Sequence, residues 1–370
     1  MRAAVLTEYG EPLSTEDVPP PEPTPEGAVV AVDACGVCRS DWHAWRGHGE
    51  WADDRVPRGQ ILGHEPAGRV VEVGERVERV RVGDRVAVPF NLGDGTCPQC
   101  RNGHGNVCEG GLALGFESGA PGAFAERVHV PWADYNAMPL PDGVEARDVA
   151  ALGCRFMTAF HGLAHRADVG PGDWVAVHGC GGVGLSAVHV ADAIGARVVA
   201  VDVEPSKLAL AESVGADAVV DASTAGEGVA EEEEEERTNG NGDAVVREIR
   251  AITDGGAHVS VDALGIAETC RNSVLCLRRR GQHVQLGLTT DAERGEVSLP
   301  TDRMAMTELS FLGSRGMPPT RYDELLGFVE SGEIDPGALV SREVSLSEVP
   351  ARLAAMTDYE TAGIEVVTKF

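Results

Sequence analysis

The sequence predicts a two-domain α/β protein, in which a small β-rich domain accompanies a doubly wound parallel sheet. Three observations predict it. The stretch from Trp174 to Asp202 reads as strand, glycine turn, helix and second strand, and strand–helix alternation continues beyond it. The residues before it hold short strands between turn glycines, with little helix. A chain of 370 residues also exceeds the roughly 250–300 that one core usually organises.

In chain order, Met1 to Val18 reads as strand and turn, and Pro19 to Pro25 as a proline-rich surface loop. Gly27 to Ala34 alternates as a strand does, and Gly63 to Val73 and Val80 to Pro89 are two further strand-rich pieces. Asn91 to Cys108 is a cysteine-rich lobe with few apolar residues. Ala123 to Pro131 returns to strand, and Val149 to Ala164 carries apolar residues at helical spacing. After Asp202, Lys207 to Val214 is expected as helix and Ala218 to Asp221 as strand. Glu231 to Glu236 and the following TNGNGD, up to Asp243, are expected as a solvated loop. Val245 to Thr253 then reads as helix, and Val259 to Asp262, His283 to Gly287 and Thr307 to Gly313 as strands. Tyr322 to Ser331 reads as helix, with a turn at Pro336. The tail from Leu339 to Phe370 reads as strand, helix and strand packing back on the first domain. The expected division is therefore 1–154, with its lobe at 91–110 and completed by 291–370, around a second domain at 155–290.

The Trp174 to Asp202 stretch has the parts that dinucleotide binding requires. Gly179, Gly181 and Gly184 form G-x-G-x-x-G: the first permits a tight turn, the second lets backbone approach a pyrophosphate, and the third lets helix pack on strand. The free N–H groups of the helix start, at Gly182, Val183 and Gly184, face the phosphates. Asp202 ends the second strand, where a carboxylate accepts hydrogen bonds from an adenosine ribose and repels a 2′-phosphate. NAD is expected, with NADP as the alternative.

Composition narrows the partners. Asp and Glu number 59 against 31 Lys and Arg, a net charge of −28, and only Lys207 and Lys369 are lysines. A field of that sign repels nucleic acid and anionic membranes. In molar salt, where the Debye length is about 3 Å, the self-repulsion is screened, so the surface reads as adapted to a salt-rich cytoplasm. The bland alternative is a merely acidic protein. The N-terminal residues carry no apolar signal core and no run is long enough to span a bilayer, so a soluble, cytoplasmic protein is expected. Nine cysteines then read as metal ligands and buried thiols.

Two constellations could hold metal. Cys38, His64 and Cys154, with Glu65 beside His64, offer two thiolates and an imidazole, the donor set of a catalytic zinc with an open position. The bland reading of each is a buried thiol or a satisfied core histidine. Arg39, Ser40, Asp41 and His43 follow Cys38 and add an acid to orient the imidazole and a hydroxyl and imidazole to move a proton. Asp94, Cys97, Cys100 and Cys108 read as a closed structural zinc site with a carboxylate as fourth ligand; the alternative is a lobe without metal.

The motifs GVCRSDWHAW, GHEPAGRVVEVG, GDRV, the cysteine lobe, GCRFMTAFHGL and GCGGVGLSAV with ARVVAVD resemble the zinc-dependent alcohol dehydrogenases of the medium-chain dehydrogenase/reductase superfamily, over essentially the whole chain. The acidic, lysine-poor composition further suggests a haloarchaeal member. The resemblance implies a GroES-like catalytic domain completed by the C-terminal tail, around an inserted Rossmann domain. It implies that Cys38, His64 and Cys154 hold the catalytic zinc, with Glu65 as a candidate transient ligand and Asp41 bonded to His64. Ser40 and His43 would form the proton relay. Arg39 would lie near the pyrophosphate and Thr158 near the nicotinamide, with Lys207 and Gly287 completing the cofactor-binding set. Trp42 and Phe90 are candidate walls of the substrate pocket or ordinary core aromatics; the region of Trp42, Trp45, Trp51 and Phe90 looks apolar, which favours simple alcohols. The implied reaction is reversible oxidation of an alcohol to an aldehyde or ketone, in a homo-oligomer (dimer or tetramer). Asp94 departs from the family, most members of which have a cysteine there. A polyol or sugar dehydrogenase is the alternative within the superfamily; a non-catalytic NAD-binding sensor and a zinc-free quinone reductase are disfavoured, because neither needs an open zinc site and a proton relay.

Overall fold

The computed structural model describes residues 1–49, 55–225, 241–290, 292–357 and 361–370, with backbone alone at 241–243. Trp51 and the acidic run Glu231 to Glu236 lie outside the described residues. The end of the expected loop differs: positions 241–243 open the helix Asn241–Ile252.

The chain divides into two compact units, Met1–Met157 with Arg315–Phe370, and Thr158–Ser314. The sequence placed the edges of the second unit at 155 and 290. The later edge moves because Ser310–Gly313 joins the parallel sheet, pairing with Leu277–Gln285. Thr307, expected in that strand, instead ends the helix Thr301–Thr307.

In the first unit, the β-branched run Ala28–Val37 is the centre of a seven-stranded sheet. It pairs antiparallel with Pro66–Val73 and Arg127–Val130, and with the C-terminal strand Ile364–Lys369. That last pairing sets Glu365 opposite Val37 and Val367 opposite Cys35, so the tail anchors the strand that leads into Cys38. Burial drives the arrangement: Val30, Val86, Phe124 and Val367 are fully enclosed in one apolar cluster.

The second unit is a six-stranded parallel sheet in the order Ala218–Asp221, Arg197–Asp202, Trp174–His178, Ala257–Asp262, Leu277–Gln285, Ser310–Gly313. Its central strands carry the apolar runs Trp174 to Val177 and Val198 to Val201, buried as cover on both faces demands. The strand order reverses beside Trp174–His178, and ligands of such sheets bind at the carboxyl ends of strands at that reversal.

A candidate metal centre and a dinucleotide cradle

Cys38 caps the helix Arg39–Arg46, directly after the strand Ala28–Val37. His64 and Glu65 precede the neighbouring strand Pro66–Val73, so antiparallel pairing brings them to Cys38. Cys154 lies in the π-helical turn Leu152–Phe156, a wide form of helix that recurs at functional sites. One donor atom from each of Cys38, His64, Glu65 and Cys154 lies within 4.8 Å of the others, and all four residues are buried.

Asp41 organises this centre. One of its oxygens accepts from Cys38 N–H at 3.0 Å; the other accepts from Gly63 N–H at 3.0 Å and lies 2.9 Å from His64 Nδ1. With Nδ1 so engaged, His64 Nε2 is the free donor atom, and it is buried without a hydrogen-bond partner. Burial disfavours charge on His64, but Asp41 and Cys38 together hold the imidazole pKa well above its ordinary value. The Cys38 thiol is held well below its ordinary value, first by the Cys154 S–H and then, against burial, by Arg155 and His64. A partnerless imidazole nitrogen facing two thiols and a carboxylate fits zinc.

Glu65 is held from one side. Arg155 donates to its Oε2 at 2.8 Å, and both side chains are buried. A Cβ on Gly36 would stand 2.0 Å from that oxygen, so only glycine leaves room for it. The other oxygen, Oε1, is buried and unpartnered. Burial pushes the Glu65 carboxyl pKa up, and the Arg155 guanidinium pulls it back. Phe90 stands edge-on to His64 with ring centroids 5.8 Å apart, and Phe116 lies at 4.8 Å.

The cysteine lobe is a second convergence, with donor atoms of Asp94, Cys97, Cys100 and Cys108 within 4.8 Å of one another. Thr96 and Cys97 donate backbone N–H groups to Asp94 Oδ1 at 2.7 and 3.0 Å, which holds its carboxyl at about 2. The Cys97 thiol is lowered by the Cys100 N–H, while burial raises that of Cys108 to about 12. Three sulfurs and one carboxylate oxygen fit a closed tetrahedral zinc.

In the second unit the three glycines differ in what their lack of a side chain allows. Gly179 has φ of +92°, Gly181 has open space where a Cβ would stand, and a Cβ on Gly184 would meet Gly179 O at 1.7 Å. The open space over Gly181, at the start of the helix Gly182–Ile194, is a cradle that fits a pyrophosphate. Asp202 is buried and accepts from Cys180, Val203 and Glu204 N–H groups at 2.7–3.0 Å, so its carboxylate is fixed at the strand end. Lys207 follows in the helix Pro205–Ser213. Gly287 packs against the Leu264–Gly265 backbone, and a Cβ there would meet Gly265 N at 2.4 Å.

Residues 24–142 match the family model of the alcohol dehydrogenase GroES-like domain, and residues 182–331 that of zinc-binding dehydrogenases. The chain is 34% identical over 337 residues to an alcohol dehydrogenase of Rhizobium meliloti (strain 1021), covering 90% of this chain and 89% of that one. It is 30% identical to an NAD-dependent alcohol dehydrogenase of Sulfurisphaera tokodaii, covering 99% of each. The solved structure of the alcohol dehydrogenase TADH from Thermus sp. ATN1 superposes with a TM-score of 0.86 at 29% identity, over 99% of each chain. The chain belongs to the zinc-dependent alcohol dehydrogenases. It is an oxidoreductase acting on CH–OH groups with zinc and a nicotinamide cofactor.

Other expected positions fare differently in this dehydrogenase. Ser40 Oγ lies 4.0 Å from Cys38 Sγ, and Ser40 and His43 share one helix face at i, i+3 spacing. The Arg39 guanidinium lies 3.7 Å over the Trp42 ring and donates to the Met356 carbonyl. Thr158 is buried in the helix Met157–Phe160. Trp42 and Trp45 belong to the apolar core, with their indole N–H groups given to Thr357 Oγ1 and the Glu11 carbonyl. Sequence reasoning missed Arg155 and Phe116. Arg155 stood in the quoted GCRFMTAFHGL, and a cation beside a ligand cysteine with no assigned counter-ion was the available signal.

Proposed function

We propose that Cys38, His64 and Cys154 bind a catalytic zinc, and that the enzyme oxidises small alcohols to aldehydes or ketones, reversibly, with NAD as its preferred cofactor. The observation that carries this reading is the buried, partnerless His64 Nε2 within 4.8 Å of the Cys38, Cys154 and Glu65 donor atoms. When bound, zinc supplies a Lewis acid that makes an alcohol hydroxyl more acidic, and NAD supplies the hydride acceptor.

This chain's residues do the rest. Asp41 fixes the His64 tautomer and ties Cys38 to the same carboxylate. Arg155 holds Glu65 by Oε2 and leaves the buried, unpartnered Oε1 as a reserve ligand atom. Ser40 and His43 move the alcohol proton towards solvent. Phe90 and Phe116 give the His64 side of the site an apolar wall. Gly179, Gly181, Gly182, Val183 and Gly184 cradle the pyrophosphate, with Arg39, Thr158, Lys207 and Gly287 as further cofactor contacts. Asp202 takes the adenosine ribose. Asp94, Cys97, Cys100 and Cys108 hold a structural zinc that crosslinks the lobe.

The enzyme is a homo-oligomer in this reading, supported by the edge strand Ser310–Gly313 and by exposed Phe311 and Met306. A cytoplasmic site of action is supported by nine unpaired thiols. Among the described residues, no helix is long and apolar enough to cross a membrane. The test is cofactor reduction in molar KCl with primary, secondary, aromatic and polyol substrates, NAD and NADP in parallel. Turnover of simple alcohols with NAD is expected; turnover confined to polyols, or better with NADP, overturns the substrate or cofactor assignment.

A further inference from the structure

The helix Arg39–Arg46, which carries Ser40 and His43, ends in a glycine cap. Gly47 takes the left-handed conformation, φ +71°, and gives its N–H to the Ala44 carbonyl. The next N–H, of His48, returns to the His43 carbonyl at 3.0 Å. This cap folds His48 back over His43, so that their Nδ1 atoms stand 2.6 Å apart and their ring centroids 4.8 Å apart. Trp42 braces both imidazoles edge-on, at 5.0 and 4.9 Å, and its own N–H is fixed by Thr357. A Cβ on Gly47 would meet the Tyr9 ring at 2.8 Å, so the cap is confined on its outer side as well.

We propose that His48 is the outlet of the proton relay, taking from His43 the proton that leaves the alcohol and delivering it to water. This rests on the Ser40–His43 relay proposed above and adds a member to it. At 2.6 Å one Nδ1 must carry hydrogen and the other a lone pair. With hydrogen on His43 Nδ1, His43 Nε2 is free to accept a proton. The Nδ1 proton then passes to His48 Nδ1, and His48 loses its Nε2 proton to solvent. One proton enters and one leaves, and no bond between heavy atoms changes.

The charged groups around His43 explain why an outlet is useful. Burial, then His48 and Arg39, hold the His43 imidazole down at about 4, with only Cys38 acting the other way. A base that weak does not store the proton; it must hand it on. His48, half-buried at the helix end, is the neighbour placed to receive it. His48 acts through His43 and is a positioning and relay residue.

The test measures kcat/KM for the best alcohol of the panel between pH 6 and 10 in His48→Asn, His48→Leu and His43→Gln, normalised to NADH-binding sites. Asparagine keeps a hydrogen bond to His43 but cannot carry a proton. Both His48 variants are expected to lose about tenfold at pH 7, to recover above pH 9 where hydroxide accepts the proton, and to be rescued at pH 7 by added imidazole, with KM for NAD unchanged. A wild-type profile in His48→Asn, with a changed one in His43→Gln, overturns the role of His48 and leaves the shorter relay standing. Wild-type profiles in both show that the relay reading itself fails. Should the His48 variants misfold, a proton inventory in mixed H2O and D2O on the unaltered enzyme decides: a curvature that needs one more proton in flight than Ser40 and His43 supply is expected, and a dependence fitted without it overturns the proposal.

Discussion

Replacing Arg155 by methionine tests how the metal centre is held together. The guanidinium and the Glu65 carboxylate are 4% and 0% exposed and meet at 2.8 Å, so each is the other's only substitute for water at that contact. Removing one partner of a buried pair leaves an uncompensated charge and costs about 3–5 kcal/mol. Arg155 also donates to the Val37 carbonyl, one residue before Cys38, and that acceptor would be stranded with it. At about 2–4 °C per kcal/mol, Arg155→Met should lower the melting temperature by roughly 10 °C in metal-free protein. The double variant Arg155→Met/Glu65→Leu removes both charges and should recover most of that loss, because an apolar pair of similar volume is often neutral. Zinc should narrow the gap for the single variant, since Glu65 then gains the metal as a partner. The assay is calorimetry on the wild type, both single variants and the double, with chelator and with zinc. A single variant within about 1 kcal/mol of wild type, or a double variant no better than the single, would refute the view that this pair is a buried constraint on Glu65.

Three other outcomes are expected. Asp202→Ala should weaken NAD by about 1–3 kcal/mol and narrow the preference over NADP, read as the ratio of kcat/KM values, since the carboxylate fixed by Cys180, Val203 and Glu204 is lost. Burial and the nearby His283 lower the His178 imidazole from 6.5 to about 3, so the unfolded chain binds one more proton between those values. The stability this contributes is complete above about pH 6.5 and falls by about 1.4 kcal/mol per pH unit as pH drops towards 3, visible as a urea midpoint that moves with pH. With a net charge of −28, the melting temperature should rise between 0.1 and 2 M KCl, and an unchanged value would favour the merely acidic reading.

Much of the fold was legible because period and glycine chemistry are local. The run Trp174 to Asp202 needed only its own residues to be read, and strand Trp174–His178 and helix Gly182–Ile194 formed as the spacing required. Cys38, His64 and Cys154 were legible as residue types, but their convergence depends on strand pairing between Ala28–Val37 and Pro66–Val73 and on the π turn at Cys154, neither of which spacing encodes. Trp42 and Trp45 illustrate the reverse difficulty. An aromatic run looks the same whether it lines a pocket or fills a core, and here tertiary packing put both in the core. Phe116 was invisible because nothing local marks it as a neighbour of His64. Arg155 and His48 escaped for one reason: the contacts that place them, with Glu65 and Val37 and with His43, are long-range or made by a helix cap.

The most direct test of the metal centre is zinc stoichiometry and turnover measured together on wild type and Cys38→Ala, with NADH binding as the control. Loss of one zinc per chain and of all alcohol oxidation, with NADH binding retained by the separate parallel-sheet unit, is the predicted result. Alcohol oxidation at the wild-type rate by a Cys38→Ala protein stripped of that zinc would contradict it.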